Sequence, residues 1–361
     1  AQKLAADCSD LVQGSIDGVH AFVHPYGCSQ MGEDHEQTRR ILADLVKHPN
    51  AGGVLVLGLG CENNTMEQFK QELGIDQPDW DEKRVRFLVS QEVEDEYAES
   101  RRLLDELAEN ASNARREQVS VDKLIIGMKC GGSDGLSGIT ANPAVGRFSD
   151  LLVAAGGTSI LTEVPEMFGA EEMLMNRCET KGVFDATVKM IEDFKEYFVA
   201  HGQTVYENPS PGNKDGGIST LEDKSCGCVQ KGGTAPVHDV IDYGGRVRRT
   251  GLNLLSGPGN DLVSTTALTA AGAQIILFTT GRGTPFGAPA PTIKISSNSE
   301  LFNKKGNWID FNAGSVVEGE SLDAVGTRLY EYVLEVANGS KTRNEQNGFR
   351  EIAIFKDGVT L

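Results

Sequence analysis

Cys130-Gly-Gly-Ser-Asp-Gly-Leu-Ser-Gly-Ile-Thr-Ala-Asn-Pro143 joins two segments of different periodicity. Before it, Lys123-Leu-Ile-Ile-Gly-Met-Lys129 is an apolar run short enough for a buried strand. After it, apolar residues recur at helical spacing from 143 to 155, and Pro143 suits a first helical position. The segment therefore predicts a strand-to-helix loop of an α/β unit, and ligands bind at such loops, beyond the carboxyl ends of strands. Glycines at 131, 132, 135 and 138 allow close backbone approach. Cys130, Ser133, Asp134, Ser137 and Thr140 add one thiol, three hydroxyls and one carboxylate. That set suits an anionic, hydroxylated ligand held by backbone N–H groups and a helix N-terminus.

The same grammar repeats on both sides. Residues 18–24, 52–60 and 84–90 predict strands, with a helix ending near 47, another capped by Asn64 or Thr65, and a long acidic helix over 91–113. Downstream, 157–162, 252–255, 274–279 and 291–295 predict strands, and 170–200 and 321–337 helices. Alternating strands and helices imply an α/β fold of Rossmann-like, doubly wound parallel sheets. Two lobes are expected, residues 1–120 and 121–361. Residues 206–235, rich in Gly, Pro and Asn, are expected to form a long active-site loop in the second.

The net charge of −18 argues against nucleic acid and anionic membranes as partners, because both select basic surfaces. No apolar run approaches the roughly 20 residues of a membrane helix, and residues 1–8 lack a signal-peptide core. The first residue is Ala, so the chain is expected to begin inside a longer product. Seven cysteines, an odd number without a disulfide-framework spacing, predict a reducing cytoplasm.

Three of those thiols share an address. Cys28, Cys61 and Cys130 each follow a predicted strand in a glycine-flanked loop, so they are expected to converge at one sheet edge and ligate iron or an iron–sulfur cluster. His24, at a strand end, is a candidate base or ligand. Arg282, between glycines after a strand, can fork onto a carboxylate, and Lys129 and Lys224 add local positive charge. Glu62, Glu163, Glu166 and Glu222 are candidate bases or ligands. No phosphate-loop or dinucleotide fingerprint is present, and no G-x-S-x-G elbow, so neither a nucleotide nor serine hydrolysis is implied.

Long motifs carry a resemblance: His24-Pro-Tyr-Gly-Cys-Ser-Gln30, Leu57-Gly-Leu-Gly-Cys-Glu-Asn-Asn64, the Cys130–Pro143 stretch, Leu161-Thr-Glu-Val-Pro-Glu-Met-Phe-Gly-Ala170, Tyr206-Glu-Asn-Pro-Ser-Pro-Gly-Asn213, Leu221-Glu-Asp-Lys-Ser225, Pro258-Gly-Asn-Asp261, Thr280-Gly-Arg-Gly-Thr-Pro285 and Trp308-Ile-Asp-Phe311. The chain resembles the altronate/galactarate dehydratase family, the altronate branch more than the galactarate branch. The resemblance implies a hydro-lyase that converts a 2,3-dihydroxy sugar acid to a 2-keto-3-deoxy acid with a divalent metal, usually iron(II), with manganese(II) or a cluster as alternatives. Of Cys226 and Cys228, it favours Cys228. The family's N-terminal β-rich domain has no counterpart here, so a separate small subunit or a longer product is expected, in a homo-oligomer. The alternatives are the large subunit of a split lyase such as sulfolactate sulfo-lyase, a galactarate dehydratase, and a non-catalytic sugar-acid-binding subunit. The chemistry demanded then assigns His24, Lys129, Asp134 and Lys224 to catalysis. Gly131, Gly132, Ser133, Ser137, Asn260, Arg282 and Thr284 go to the substrate, and Cys28, Cys61 and Cys130 to the metal.

Overall fold

The computed structural model describes residues 1–361 and divides into two compact units, residues 1–119 with 352–361, and residues 120–351. In the first unit β1 (Val54–Gly58) and β2 (Val85–Val89) pair in parallel, Val54 opposite Val85. Thr65 caps the helix Met66–Leu73 by accepting from Gln68 N–H, and Asp95 caps Glu96–Ser112 by accepting from Tyr97 and Ala98 N–H. Ala43, Val46, Phe69, Leu73 and Val85 form its core.

The expected strand at 18–24 is absent, and β1 and β2 are a sheet by themselves. Phe22 and Val23 are 40% and 48% exposed, so the apolar run that suggested a strand buries little and finds no pairing edge. Residues 352–361, assigned to the second region from sequence, fall in the first unit. Buried Asp34 accepts from the N–H groups of Asp357 and Gly358, and Leu361 N–H donates to Ser29.

The second unit is a seven-stranded, all-parallel sheet. Its strands are β3 (Ile125–Cys130), β4 (Thr158–Leu161), β5 (Val237–Ile241), β6 (Gly251–Leu255), β7 (Ile275–Thr280), β8 (Thr292–Ser296) and β9 (Phe311–Asn312). Alternation along β7 shows how both faces are covered. Ile275 and Leu277 join a cluster with Phe148 and Leu152 of helix Ala141–Ala154 and Leu329 and Val333 of helix Leu322–Ala337. Ile276 and Phe278 join another with Leu268 of helix Asp261–Ala270. A strand's side chains alternate between faces, so the two clusters lie on opposite sides of the sheet. Burial on both faces explains the unbroken apolar runs by which these strands were legible.

Strand order is β5-β6-β4-β3-β7-β8-β9. From β3 the chain builds toward β4, β5 and β6, then crosses to β7 and continues the other way. The loops after β3 and β7 thus leave adjacent strands toward opposite sides, opening a crevice at their carboxyl ends. Cys130, the last residue of β3, pairs with Thr279 there.

Residues 206–235 are not the long loop expected. They contain the helices Pro211–Asp215 and Leu221–Val229. The first begins with a capping box, Ser210 and Asn213 exchanging side-chain and backbone bonds, with Pro211 in its opening turn. Thr220 caps the second by accepting from Asp223 N–H. Pro143 likewise lies in the opening turn of Ala141–Ala154, at its third rather than first position, where a missing N–H costs no helical bond.

Candidate functional site

At the end of β3, Lys129 Nζ meets Glu163 Oε1 at 2.6 Å and Asp261 Oδ1 at 2.7 Å, and donates to the carbonyls of Cys130 and Gly259. Glu163 Oε2 accepts from Cys130 N–H at 2.9 Å and from Lys231 Nζ at 3.2 Å. Lys129, Glu163 and Lys231 are essentially without solvent exposure. Burial alone would strip the charge from each. The mutual attraction outweighs it, holding Lys129 and Lys231 above the usual lysine range and Glu163 below the usual carboxylate range. Glu163 has φ +71°, the only non-glycine residue in the left-handed region, which costs about 1 kcal/mol or more. The backbone thus pays locally to aim this carboxylate between two lysines.

Beside this cluster, the Sγ atoms of Cys130 and Cys228 are 3.5 Å apart, and Cys228 Sγ lies 3.4 Å from Glu166 Oε2. Donor atoms of Cys130, Cys228 and Glu166 all fall within 4.8 Å of one another, and all three residues are buried. The hydrogen bond from the Cys228 thiol, aided by Lys231, depresses Cys130, and the same bond pushes Cys228 well above the ordinary thiol value. Lys224 Nζ contacts the other oxygen of Glu166 at 3.0 Å and donates to Asn208 and Asn213 Oδ1. Two soft sulfur donors and a carboxylate, with cations behind them, suit a transition-metal ion such as iron(II). Two cysteines are fewer than the four that hold an ordinary iron–sulfur cluster.

The loop after β3 is locked in place. Asp134 Oδ1 accepts from Ser137 Oγ at 2.8 Å and Ser297 Oγ at 2.7 Å, and Oδ2 from Asn298 Nδ2 at 3.1 Å. Asn213 Nδ2 donates to the Ser133 carbonyl. Gly132, at φ +61°, accepts at its carbonyl from the N–H groups of Gly281 and Arg282. A Cβ at Gly131 would come 2.6 Å from the Phe278 ring and 2.8 Å from Asp261 Oδ1, so only glycine fits. The N–H groups of Gly132 and Ser133 have no acceptor in the chain. Arg282 is exposed, and its guanidinium has neither a hydrogen-bond nor an ion-pair partner. Thr284 Oγ1 accepts from Phe286 N–H.

Residues 121–360 match a family profile described as D-galactarate/Altronate dehydratase, C-terminal, and residues 1–112 one described as D-galactarate dehydratase/Altronate hydrolase, second domain. The chain belongs to the galactarate/altronate dehydratase family. It is 54% identical to altronate dehydratase of Escherichia coli strain K12 over 96% of this chain and 69% of that protein. It is 55% identical to altronate dehydratase of Bacillus subtilis strain 168 over 100% of this chain and 71% of that protein. The (2R)-sulfolactate sulfo-lyase subunit beta of Chromohalobacter salexigens is 30% identical over 96% of this chain and 90% of that subunit. No helix is long and apolar enough to cross a membrane.

Within this dehydratase-family chain, the candidates read from sequence separate. Lys129, Cys130, Gly131, Gly132, Ser133, Asp134, Ser137, Lys224, Asn260, Arg282 and Thr284 all belong to the second unit. Asn260 Oδ1 is engaged as the cap of helix Asp261–Ala270. His24, Cys28 and Cys61 belong to the first unit, so the expected single sheet edge shared by three thiols does not exist. Cys28 and Cys61 are exposed there, Cys28 Sγ donating to the Cys61 carbonyl. Burial holds the His24 imidazole below its ordinary value, partly countered by Glu62. Sequence reasoning missed Lys231 and Asp261, and grouped Cys130 with Cys28 and Cys61, whereas the thiol beside it in the second unit is Cys228. The available signal was the Thr220 cap, which makes 221–229 a helix and puts Cys228, not Cys226, on its buried side.

Proposed function

We propose that the chain is a metal-dependent hydro-lyase of the altronate type, removing water from a 2,3-dihydroxy aldonate to give a 2-keto-3-deoxy acid. The observation that carries this reading is the buried Cys130–Cys228–Glu166 donor set at the switch point of the parallel sheet, in a chain over half identical to altronate dehydratases. Cys130, Cys228 and Glu166 would hold the metal, which supplies Lewis-acid polarisation of substrate oxygens when bound.

The chain's own groups account for the rest. Elimination takes a proton from the carbon next to the carboxylate and expels hydroxide from the following carbon, which leaves as water once protonated; the resulting enol becomes the keto acid. The free Arg282 guanidinium forks onto the substrate carboxylate, and the unused N–H groups of Gly132 and Ser133 add two donors. Lys224 is the proton carrier in this unit. It is 8% exposed, against 0% and 1% for Lys129 and Lys231. Lys129 and Asp134, their polar atoms fully engaged, position the loop.

The test is anaerobic loading with iron(II) or manganese(II), followed by assay of 2-keto acid release from altronate, galactarate and sulfolactate, with and without a separately supplied N-terminal β-rich domain. Altronate turnover above the other two is expected. Sulfite release from sulfolactate would point to the split-lyase alternative. Binding of altronate without turnover in every combination would make the chain a sugar-acid-binding subunit.

A further inference from the structure

Lys294 sits in the middle of β8 with no solvent exposure. Unlike Lys129, Lys224 and Lys231, it has no carboxylate within ion-pair distance. Its Nζ donates instead to two main-chain carbonyls, Thr284 at 2.8 Å and Phe286. The ammonium also lies 5.0 Å from the Phe278 ring centroid and 5.7 Å from that of Phe286. Burying an ammonium whose polar partners are two neutral carbonyls is costly, so both of its hydrogen bonds count.

The loop in question carries Arg282. It leaves β7 at Thr280, is tied to the β3 loop by the Gly281 and Arg282 N–H bonds to Gly132, and turns at Gly283, whose N–H donates to Thr280 Oγ1. After that turn it is held by Lys294, by Asn344, whose Nδ2 donates to the Phe286 carbonyl, and by Glu351 N–H, which donates to the Gly287 carbonyl. We propose that Lys294 is a positioning residue that clamps the Thr284–Phe286 main chain and thereby fixes the turn presenting Arg282 to the substrate carboxylate. The link to substrate rests on the dehydratase reading above; the clamp itself does not.

The charge state of the clamp follows from its surroundings. Burial lowers Lys294 to about 8, and Asp310, Asp261 and Glu351, the acidic groups facing it, only partly restore its charge. Lys129 shares the Phe278 ring from the other side, at 5.5 Å, and adds like charge. Raising the pH through about 8 therefore removes the ammonium's attraction to both rings and weakens both carbonyl bonds.

The test compares wild type, Lys294→Met and Lys294→Arg in the full chain by amide hydrogen exchange of residues 281–287 and by kinetics with altronate. In Lys294→Met, exchange of this loop is expected to rise about tenfold while β7 stays protected, with KM up about tenfold and kcat little changed. In wild type the same loop, corrected for intrinsic exchange, is expected to lose protection between about pH 7 and about pH 9, a transition absent in Lys294→Met. Unchanged loop protection in a folded Lys294→Met, or in wild type across that pH range if the variant does not fold, overturns the clamp. Raised exchange with an unchanged KM overturns its link to Arg282. Absence of any altronate turnover in wild type overturns the dehydratase reading alone, because the exchange measurement needs no substrate.

Discussion

Cys130 and Cys228, 98 positions apart in the sequence, bring their sulfur atoms to 3.5 Å at the carboxyl end of β3. Cys130 closes the strand, and Cys228 rides on the buried side of the helix Leu221–Val229, with Glu166 completing the donor set.

Replacing either thiol with a hydroxyl substitutes a far poorer ligand for a soft metal. Cys130→Ser and Cys228→Ser are each expected to lose most bound iron after anaerobic reconstitution and most turnover with it. Cys226→Ser, exposed on the same helix, should keep both. Cys28→Ser and Cys61→Ser should keep the iron. Full iron content in both Cys130→Ser and Cys228→Ser would remove the thiols from the site.

The Arg282 guanidinium has no hydrogen-bond or ion-pair partner in the chain, so its charge stabilises nothing in the fold. Arg282→Lys keeps the charge and loses the planar fork. We expect kcat/KM to fall by about 10²-fold or more, some 3 kcal/mol of transition-state binding, with Tm unchanged. Ordinary kinetics in this variant would show that the guanidinium does not touch substrate.

Glu163 pairs with Lys129 and Lys231 at once, and all three side chains are buried. Glu163→Gln leaves two buried ammonium groups with Asp261, on Lys129, as the remaining carboxylate partner. Breaking a buried pair in this way costs about 3–5 kcal/mol. Chemical denaturation should show that loss, with an unchanged m-value. A loss below about 1 kcal/mol would mean that the cluster relaxes by releasing a lysine proton.

Asp310 is pushed from its ordinary 3.8 up to about 6, chiefly by burial, although Lys294 and Arg343 N–H groups donate to it. Its folded value lies above its unfolded value, so its contribution is fully present below about pH 4 and is lost as pH rises to about 6. The stability difference between Asp310→Asn and wild type should therefore shift toward the variant by about 3 kcal/mol from about pH 4 to about pH 7. Parallel stability curves for the two proteins would show that this carboxyl is not strained.

Much of the fold was legible because strand and helix are local events. The runs before Cys130, Thr280 and Ser296 read as strands since both faces of that sheet are covered, and every residue in them has to be apolar or paired. The same logic failed at 18–24, where the run was apolar but unpaired, and at β5 and β9, short edge strands with mixed residues. Between 206 and 235, composition suggested a loop, while the caps Ser210 and Thr220 specified helices.

By itself the sequence determined that strands and helices alternate, that the sheet is parallel, and that the Cys130 and Gly281 loops lie at strand ends. Those facts follow from periodicity, caps and glycines, each felt within a few residues. Only the tertiary structure decided which thiol stands beside Cys130, that Lys231 and Lys129 share Glu163, and that Lys294 reaches back under the Arg282 loop. These pairings join residues that are distant in sequence, and they depend on strand order and on how helices cross the sheet, which no local pattern encodes.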